Sequence, residues 1–392
     1  MSKKVTCPVI YHGLCITAYG AINPCCASMD FVHIDDVESI SEYFLNGRRI
    51  LEARNKEFNK GFIPECITCQ NKEQEGLISR KQKTQRWFPD ATRKFSKRNV
   101  GKVLHMDIAF GNSCNQQCIM CSSNFSSQWL KWDLEFDKTD PWFRENRNTV
   151  TLKNWALSYD QLKDIASLVS NETEIIEIKG GEPLYDKRFE YFVTLVLEKN
   201  QNVKIQTNTN GSFFNKRTID FLNTIPNFSI DVSLDGTGKT YEWIRRYSFD
   251  DIENNLSYAL QNLKHEVIAN YTTMKYNVDH YLKFYKWLEK LSNKYNRKIP
   301  THFTQTVGTP RWMSTRFAEK DRIKNGIDQL LYIREDPSNF AYTSIYKERI
   351  DLLVNHLEKS LLYKPTEKEL QQAKKVEELM EKVRGYSFDS NM

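Results

Sequence analysis

The sequence predicts an α/β fold in which a mostly parallel sheet is covered by helices. Three observations predict it: six β-branched or apolar runs, amphipathic segments between most of them, and 392 residues with 40% apolar content, enough for a substantial core in two or three domains. The strand segments are VLHMDIAF (103–110), EIIEIKG (174–180), VKIQTNT (203–209), FSIDVSL (228–234), HEVIANYTTMK (265–275) and THFTQTV (301–307). Among the helical segments, YLKFYKWLEKLSNK (281–294) repeats Leu282, Tyr285, Leu288 and Leu291 on one face. Six strands with right-handed helical crossovers make either a doubly wound sheet or an open barrel, and both carry their chemistry at the carboxyl ends of the strands.

Two flanks differ from this centre. Before it, KQKTQRWFPDATRKFSKRNVGK (81–102) is polar and strongly basic, the composition of a linker or a solvated helix, and places a domain boundary near residue 95. After it, TEKELQQAKKVEELMEKVRG and its surroundings are Lys/Glu-rich and helical without strand signal. The expected division is 1–95, 96–315 and a helical region 316–392, with no tandem repeat or low-complexity tract.

Composition removes several function classes. Net charge is +6, but 56 Lys and Arg are interspersed with 50 Asp and Glu, so nucleic-acid binding is not indicated. The start, MSKKVTCPVIYHG, lacks the apolar run of a signal peptide, and no stretch of about 18 uncharged apolar residues occurs, so no membrane partner is expected and a cytoplasmic location is. In that compartment nine clustered cysteines point to metal or cluster binding rather than to disulfides. The seven histidines (His12, His33, His105, His265, His280, His302, His356) show no HxxxH or HExxH spacing, and neither a GxxxxGK[ST] loop nor a GxSxG elbow is present. His12, close to one cysteine group, is expected to be a hydrogen-bonded structural residue.

The most informative stretch is GNSCNQQCIMCSS (111–123), directly after the first central strand. Thiolates are soft ligands for zinc or iron–sulfur clusters, and a cubane normally takes four, one per iron. Cys114, Cys118 and Cys121 supply three, which leaves one iron open to chelate a small molecule through an amine and a carboxylate. A zinc site with its fourth ligand elsewhere, or three unrelated thiols, are the alternatives.

Context favours the cluster, because CNQQCIMC resembles the CxxxCxxC signature of the radical S-adenosylmethionine (radical SAM) superfamily. The resemblance runs over roughly residues 100–310 and implies a partial (β/α)6 TIM-like barrel. IKGGEPLYD (178–186) resembles the GGEP motif, which implies that Gly180, Gly181, Glu182 and Pro183 meet the methionine amino group; glycines allow close backbone approach and a carboxylate suits an ammonium. QTNTNG (206–211) resembles the element near the ribose, implying roles for Asn208 and Asn210, and VSLDG (232–236) places Ser233 toward the cofactor. Asp235 reads as an Asx-turn residue. In WIRRY (243–247), Arg245 or Arg246 would take the methionine carboxylate. Family members often carry an aromatic residue before the third cysteine; here Met120 stands there, and a thioether can also cover an adenine ring. Asp107 and Phe110 are expected to be structural.

The N-terminal cysteines form a second pattern. CPVIYHGLCITAYGAINPCC reads as a hairpin turning at Gly20, and ECITC (65–69) adds a CxxC. These resemble twitch or SPASM auxiliary-cluster modules, the shorter twitch type fitting better, with Cys7, Cys25, Cys66 and Cys69 as the matching ligands and Cys26 as a possible substitute for Cys25. Such modules commonly follow the radical domain, whereas this one precedes it. A zinc knuckle is the alternative. Cys15 reads as a buried small hydrophobe, and Arg48, Arg49 and Arg54 as exposed helix charges.

The resemblance implies an enzyme that takes an electron from a donor such as flavodoxin or ferredoxin onto a 4Fe–4S cluster, cleaves S-adenosylmethionine to a 5′-deoxyadenosyl radical, and abstracts hydrogen from a substrate. A second 4Fe–4S cluster would relay an electron or hold that substrate. A peptide or protein substrate is favoured over a sugar, aminocyclitol or nucleotide; the non-enzyme alternative is a zinc-dependent, nucleic-acid-binding cysteine module.

Overall fold

A computed structural model describes residues 7–60, 63–74, 78–88, 102–139, 142–143, 149, 152–305, 311–336, 338, 341 and 346–388. The fold is mixed α/β with a parallel sheet that no strand pairing among these residues closes into a barrel. The chain divides into two compact units, one of Met1–Ser113, Trp155–Thr207 and Ile225–Phe228, the other of Cys114–Asn154, Asn208–Thr224 and Ser229–Met392.

In the first unit β1 (Gly13–Ile16) and β2 (Ala21–Asn23) form an antiparallel hairpin with Gly20 at φ 87°, and β3 (Val32–His33) extends it. The hairpin is built onto the parallel sheet: β1 pairs in parallel with β4 (His105–Ala109), β4 with β5 (Ile175–Lys179), and β5 with β6 (Lys204–Thr209). Alternation sorts the faces. Met106, Ile108, Ile176, Ile178 and Ile205 are buried on one side, while Cys15, Asp107, Glu177 and Gln206 stand in one row across four strands on the other.

In the second unit β7 (Phe228–Ser233), β8 (Glu266–Thr273) and β9 (Thr301–Gln305) pair in parallel. All six central strands lie where the sequence predicts them, although Thr306 and Val307 fall outside the described residues. The helix Tyr281–Tyr295 buries Tyr281, Phe284, Tyr285, Leu288 and Leu291, so its apolar face is centred slightly away from Leu282. Beyond the strands come the helices Lys320–Glu335, Tyr346–Leu362 and Glu367–Arg384, the last of which inserts Ala373, Val376, Met380 and Val383 into a core shared with Ile119, Trp129 and Trp243.

The basic segment after the N-terminal cysteines begins as the helix Arg80–Trp87, opened by a Ser79–Gln82 capping box; residues 89–101, including the expected boundary near 95, lie outside the described residues. Among the described residues no helix is long and apolar enough to cross a membrane.

Arg54 departs from expectation. It is buried, stacks 4.6 Å from the Phe44 ring centroid and donates from Nε to the Ile10 carbonyl at 3.2 Å, because the flat guanidinium can cover an aromatic ring while still serving a carbonyl. Arg48 is exposed as expected, and Arg49, exposed along its length, reaches the Phe31 carbonyl at 2.6 Å. His12 is structural, its Nδ1 2.9 Å from the Lys102 carbonyl, and Cys15 is buried within β1.

Candidate functional site

The three-cysteine turn is fixed through its backbone. Trp129 Nε1 donates to the Cys118 carbonyl at 2.8 Å, Ile119 N to the Ile244 carbonyl at 2.8 Å, and Ser126 Oγ to the Gln116 carbonyl at 2.5 Å. Ser127 Oγ and Gln128 Nε2 both donate to the Cys114 carbonyl at 3.2 Å. Cys114 and Cys118 are buried and Cys121 is half-buried against the apolar cluster that also takes Met120.

Arg245, the last residue of the helix Gly238–Arg245, is the one of the two arginines whose side chain reaches a sulfur of the turn. Its Nη1 donates to Cys118 Sγ at 3.4 Å, and its Nη2 is ion-paired with the fully buried Asp235. Burial is the largest influence and opposes its charge, but the Asp235 carboxylate together with Cys118, Tyr241 and Cys121 outweighs it and holds the guanidinium above its ordinary pKa. Arg246 caps the helix in the left-handed region at φ 50°, is exposed, and meets the Gln117 side chain. Asp235 is more than a turn residue: at φ 57° it accepts from Thr272 N at 2.7 Å and takes Arg245 as its partner.

The Cys118 thiol is lowered to about 6, first by a hydrogen bond from the Cys121 thiol, against burial, with Arg245 adding its charge. Beside it the buried Arg245 Nε has no hydrogen-bond partner. A buried unsatisfied donor of this kind marks a place where a further group belongs. Three soft thiols, a guanidinium and an unmet donor therefore fit a cluster carrying an anionic ligand.

Other predicted residues surround strand ends. Gly180 and Gly181 take φ 79° and 56°, and a Cβ on Gly181 would lie 2.1 Å from the Ser113 carbonyl oxygen, so the doublet is required by close approach of two backbones. Glu182 is buried, donates its N–H to Ser113 O at 2.8 Å and accepts from Leu184 N at 3.1 Å; Pro183 begins the following turn. Asn210 is buried, with Nδ2 2.9 Å from Asn115 Oδ1 and 3.9 Å from Cys114 Sγ. Asn208 and Ser233 are partly exposed, near the end of β6 and at the end of β7, and Ser233 sits in register with Asn270.

The N-terminal set is built differently. Cys7 precedes the short helix Pro8–His12, Cys25 follows β2, and Cys66 and Cys69 lie one turn apart at the start of the helix Ile67–Gln74. All four line one cavity of about 220 Å3, with Glu57, Gln70, Glu73 and Lys81 also on its wall. Burial pushes the Cys7 and Cys66 thiols up to about 12, with the other cysteines adding to it. Cys26 does not line the cavity and is exposed; its thiol is hydrogen-bonded to that of Cys25. Four thiols around one space of this size fit a compact cluster, while no three Cys, His, Asp or Glu side chains among the described residues converge closely enough to hold a single ion.

Sequence reasoning passed over two features. One is the polar row on β4 and β5, where Asp107 pairs with Lys179 at 2.9 Å and Glu177 with Arg80 at 2.9 Å and His105 at 3.0 Å; alternation along strands 72 positions apart could have shown their common face only once the pairing was known. The other is the Asp235–Arg245 pair, which the aspartate directly after β7 could have suggested.

Thirty-four solved chains are similar to this one. They include SuiB from Streptococcus suis bound to its precursor peptide SuiA (12% identity, 77% of this chain and 64% of that one, TM-score 0.43). Also among them are anSMEcpe with AdoMet and a Cp18Cys peptide (14%, 57% and 56%, TM-score 0.38) and methylornithine synthase PylB (16%, 80% and 91%, TM-score 0.37). The chain spans less than two thirds of the length of the first two. No curated protein matches the sequence. Residues 108–288, which contain the cysteine turn, Gly180–Pro183 and Arg245, match the family model described as Radical SAM superfamily, so over those residues the chain carries a radical SAM domain.

Proposed function

We propose that the protein reductively cleaves S-adenosylmethionine at a 4Fe–4S cluster held by Cys114, Cys118 and Cys121, and uses the product radical to abstract hydrogen from a peptide or protein substrate. The observation that carries this is the backbone-anchored cysteine turn with the Arg245 guanidinium donating to Cys118 Sγ and its buried Nε left unmet. When bound, the cluster supplies the electron that breaks the sulfonium bond. The residues orient the cofactor: Gly180, Gly181, Glu182 and Pro183 receive the methionine ammonium, Arg245 its carboxylate, Asn208, Asn210 and Ser233 the ribose side, and Met120 the adenine. Arg246, exposed, is the lesser candidate for the carboxylate.

Cys7, Cys25, Cys66 and Cys69 are proposed to hold a second 4Fe–4S cluster in a twitch-like module within residues 1–95, ahead of a core at 96–315 and a helical region at 316–392. The cavity shared by all four thiols supports this assignment. A flavodoxin or ferredoxin is the proposed electron donor. The peptide substrate rests on the likeness to auxiliary-cluster enzymes; a sugar, aminocyclitol or nucleotide is the second reading.

Anaerobic reconstitution tests both clusters. About eight irons and eight sulfides per chain are expected, with 5′-deoxyadenosine formed under dithionite. Zinc without labile sulfide, and no cofactor cleavage, would overturn the proposal. Peptide and metabolite mass spectrometry with and without the active enzyme would identify the substrate class.

A further inference from the structure

Arg384 closes the C-terminal helix, outside the matched family domain, yet its side chain ends beside the cysteine turn. It is buried, and its donors serve carbonyls: Nε to Trp243 O at 3.0 Å, Nη2 to Gln117 O at 2.8 Å and Ile244 O at 3.5 Å, with Nη1 3.4 Å from Gln117 Oε1. Gln117 precedes Cys118, and Ile244 precedes Arg245. The guanidinium also lies 6.0 Å from the ring centroid of Trp129, whose indole N–H holds the Cys118 carbonyl. One side chain thus fastens both segments that bring Cys118 and Arg245 together.

Its charge is the unusual part. Arg245 is balanced by Asp235, but every acceptor of Arg384 is neutral, and no carboxylate among the described residues pairs with it. A buried cation without a counter-charge is costly. Burial lowers its pKa to about 10, so it stays protonated at neutral pH.

We infer that Arg384 is a positioning residue whose guanidinium serves as counter-charge to the cluster on Cys114, Cys118 and Cys121 and raises its reduction potential. The inference rests on the proposed radical cluster. Three thiolates make that site anionic, and one-electron reduction adds a further negative charge, so a nearby fixed cation favours the reduced form.

Redox titration of the reconstituted full-length protein, followed by electron paramagnetic resonance, tests it with Arg384→Gln and Arg384→Lys. Iron content and circular dichroism are recorded for each. Arg384→Gln should shift the one-electron equilibrium about tenfold toward the oxidised state, a potential about 59 mV more negative, whereas Arg384→Lys should stay near wild type. An unchanged potential in Arg384→Gln overturns the inference, as does an equal shift in both variants, which would mean that the hydrogen-bonding fork and not the charge matters. If Arg384→Gln loses its iron, Arg384→Lys decides alone: a wild-type potential supports the charge role, and a tenfold shift overturns it. Failure of the wild type to show any cofactor-responsive cluster signal would sink the proposed function itself, and this inference with it.

Discussion

The two cysteine sets, each proposed to hold a cluster, are built in opposite ways. At the Cys114–Cys121 turn backbone carbonyls are anchored, a guanidinium faces one sulfur, and that guanidinium's buried Nε remains unmet. The N-terminal set surrounds a cavity with four thiols, of which burial raises the proton affinity of Cys7 and Cys66. One arrangement expects a visiting anion beside the metal; the other expects its occupant to be complete. If this contrast is functional, the sets should fail differently when damaged.

The largest effect tests that contrast directly. Cys118→Ala should abolish 5′-deoxyadenosine formation under dithionite, while Cys66→Ala with Cys69→Ala should retain it and lose only turnover of the true substrate. Thermal melting of the double variant comes first, because cluster loss can unfold a small cysteine-rich region, here one joined to the sheet through β1 and β4. A folded double variant that keeps its remaining cluster but cannot cleave the cofactor would erase the distinction.

Asp235→Ala comes next. It leaves Arg245 buried without its partner, and breaking such a pair by removing one side costs about 3–5 kcal/mol. A large drop in denaturation midpoint is expected by chemical unfolding; Asp235→Asn keeps the acceptor for Thr272 N and should lose less. Equal, small losses in both variants would show that the pair matters little to the fold.

A smaller effect is expected at Glu182. Loss of charge-assisted hydrogen bonds to the methionine ammonium, about 1.5–3 kcal/mol each, should weaken S-adenosylmethionine binding about ten- to a hundred-fold in Glu182→Ala with iron retained. Unchanged affinity by anaerobic calorimetry would remove Glu182 from the cofactor site.

These tests lean on residues of unequal legibility. The six central strands were readable as runs of β-branched and apolar residues, because strands of a parallel sheet covered on both faces are buried along most of their length, and the cysteine turn because its spacing is local. The parallel pairing of β1 with β4 was not, since Cys15 and Asp107 meet across ninety-two positions and no local pattern encodes the partner. Arg245 and Arg246 were indistinguishable as neighbours. They separate because the helix ends between them: Arg245 keeps the helical side that faces Asp235, and Arg246 turns into the left-handed region. Arg54 misled because a charge-rich helix looks solvated, although a guanidinium can be buried over an aromatic ring. Arg384 gave no signal at all among the lysines and glutamates of its helix.

The smallest expected effect sharpens the contrast at a single sulfur. Cys25 and Cys26 are adjacent, and spacing alone allows either to complete the N-terminal set. Their thiols are hydrogen-bonded to each other, so both are close to the site, but Cys25 lines the cavity with Cys7, Cys66 and Cys69 while Cys26 does not. Serine keeps a hydroxyl in place of each thiol and so preserves much of that local hydrogen bonding, yet it is a poor ligand for a cluster that selects soft thiolates. Cys25→Ser should therefore lose about four of eight irons on reconstitution, and Cys26→Ser should keep nearly all of them. Iron and sulfide analysis of the two variants, side by side with wild type, measures the difference. Loss of iron in Cys26→Ser with retention in Cys25→Ser would reverse the assignment and require the loop after β2 to rearrange on binding its cluster.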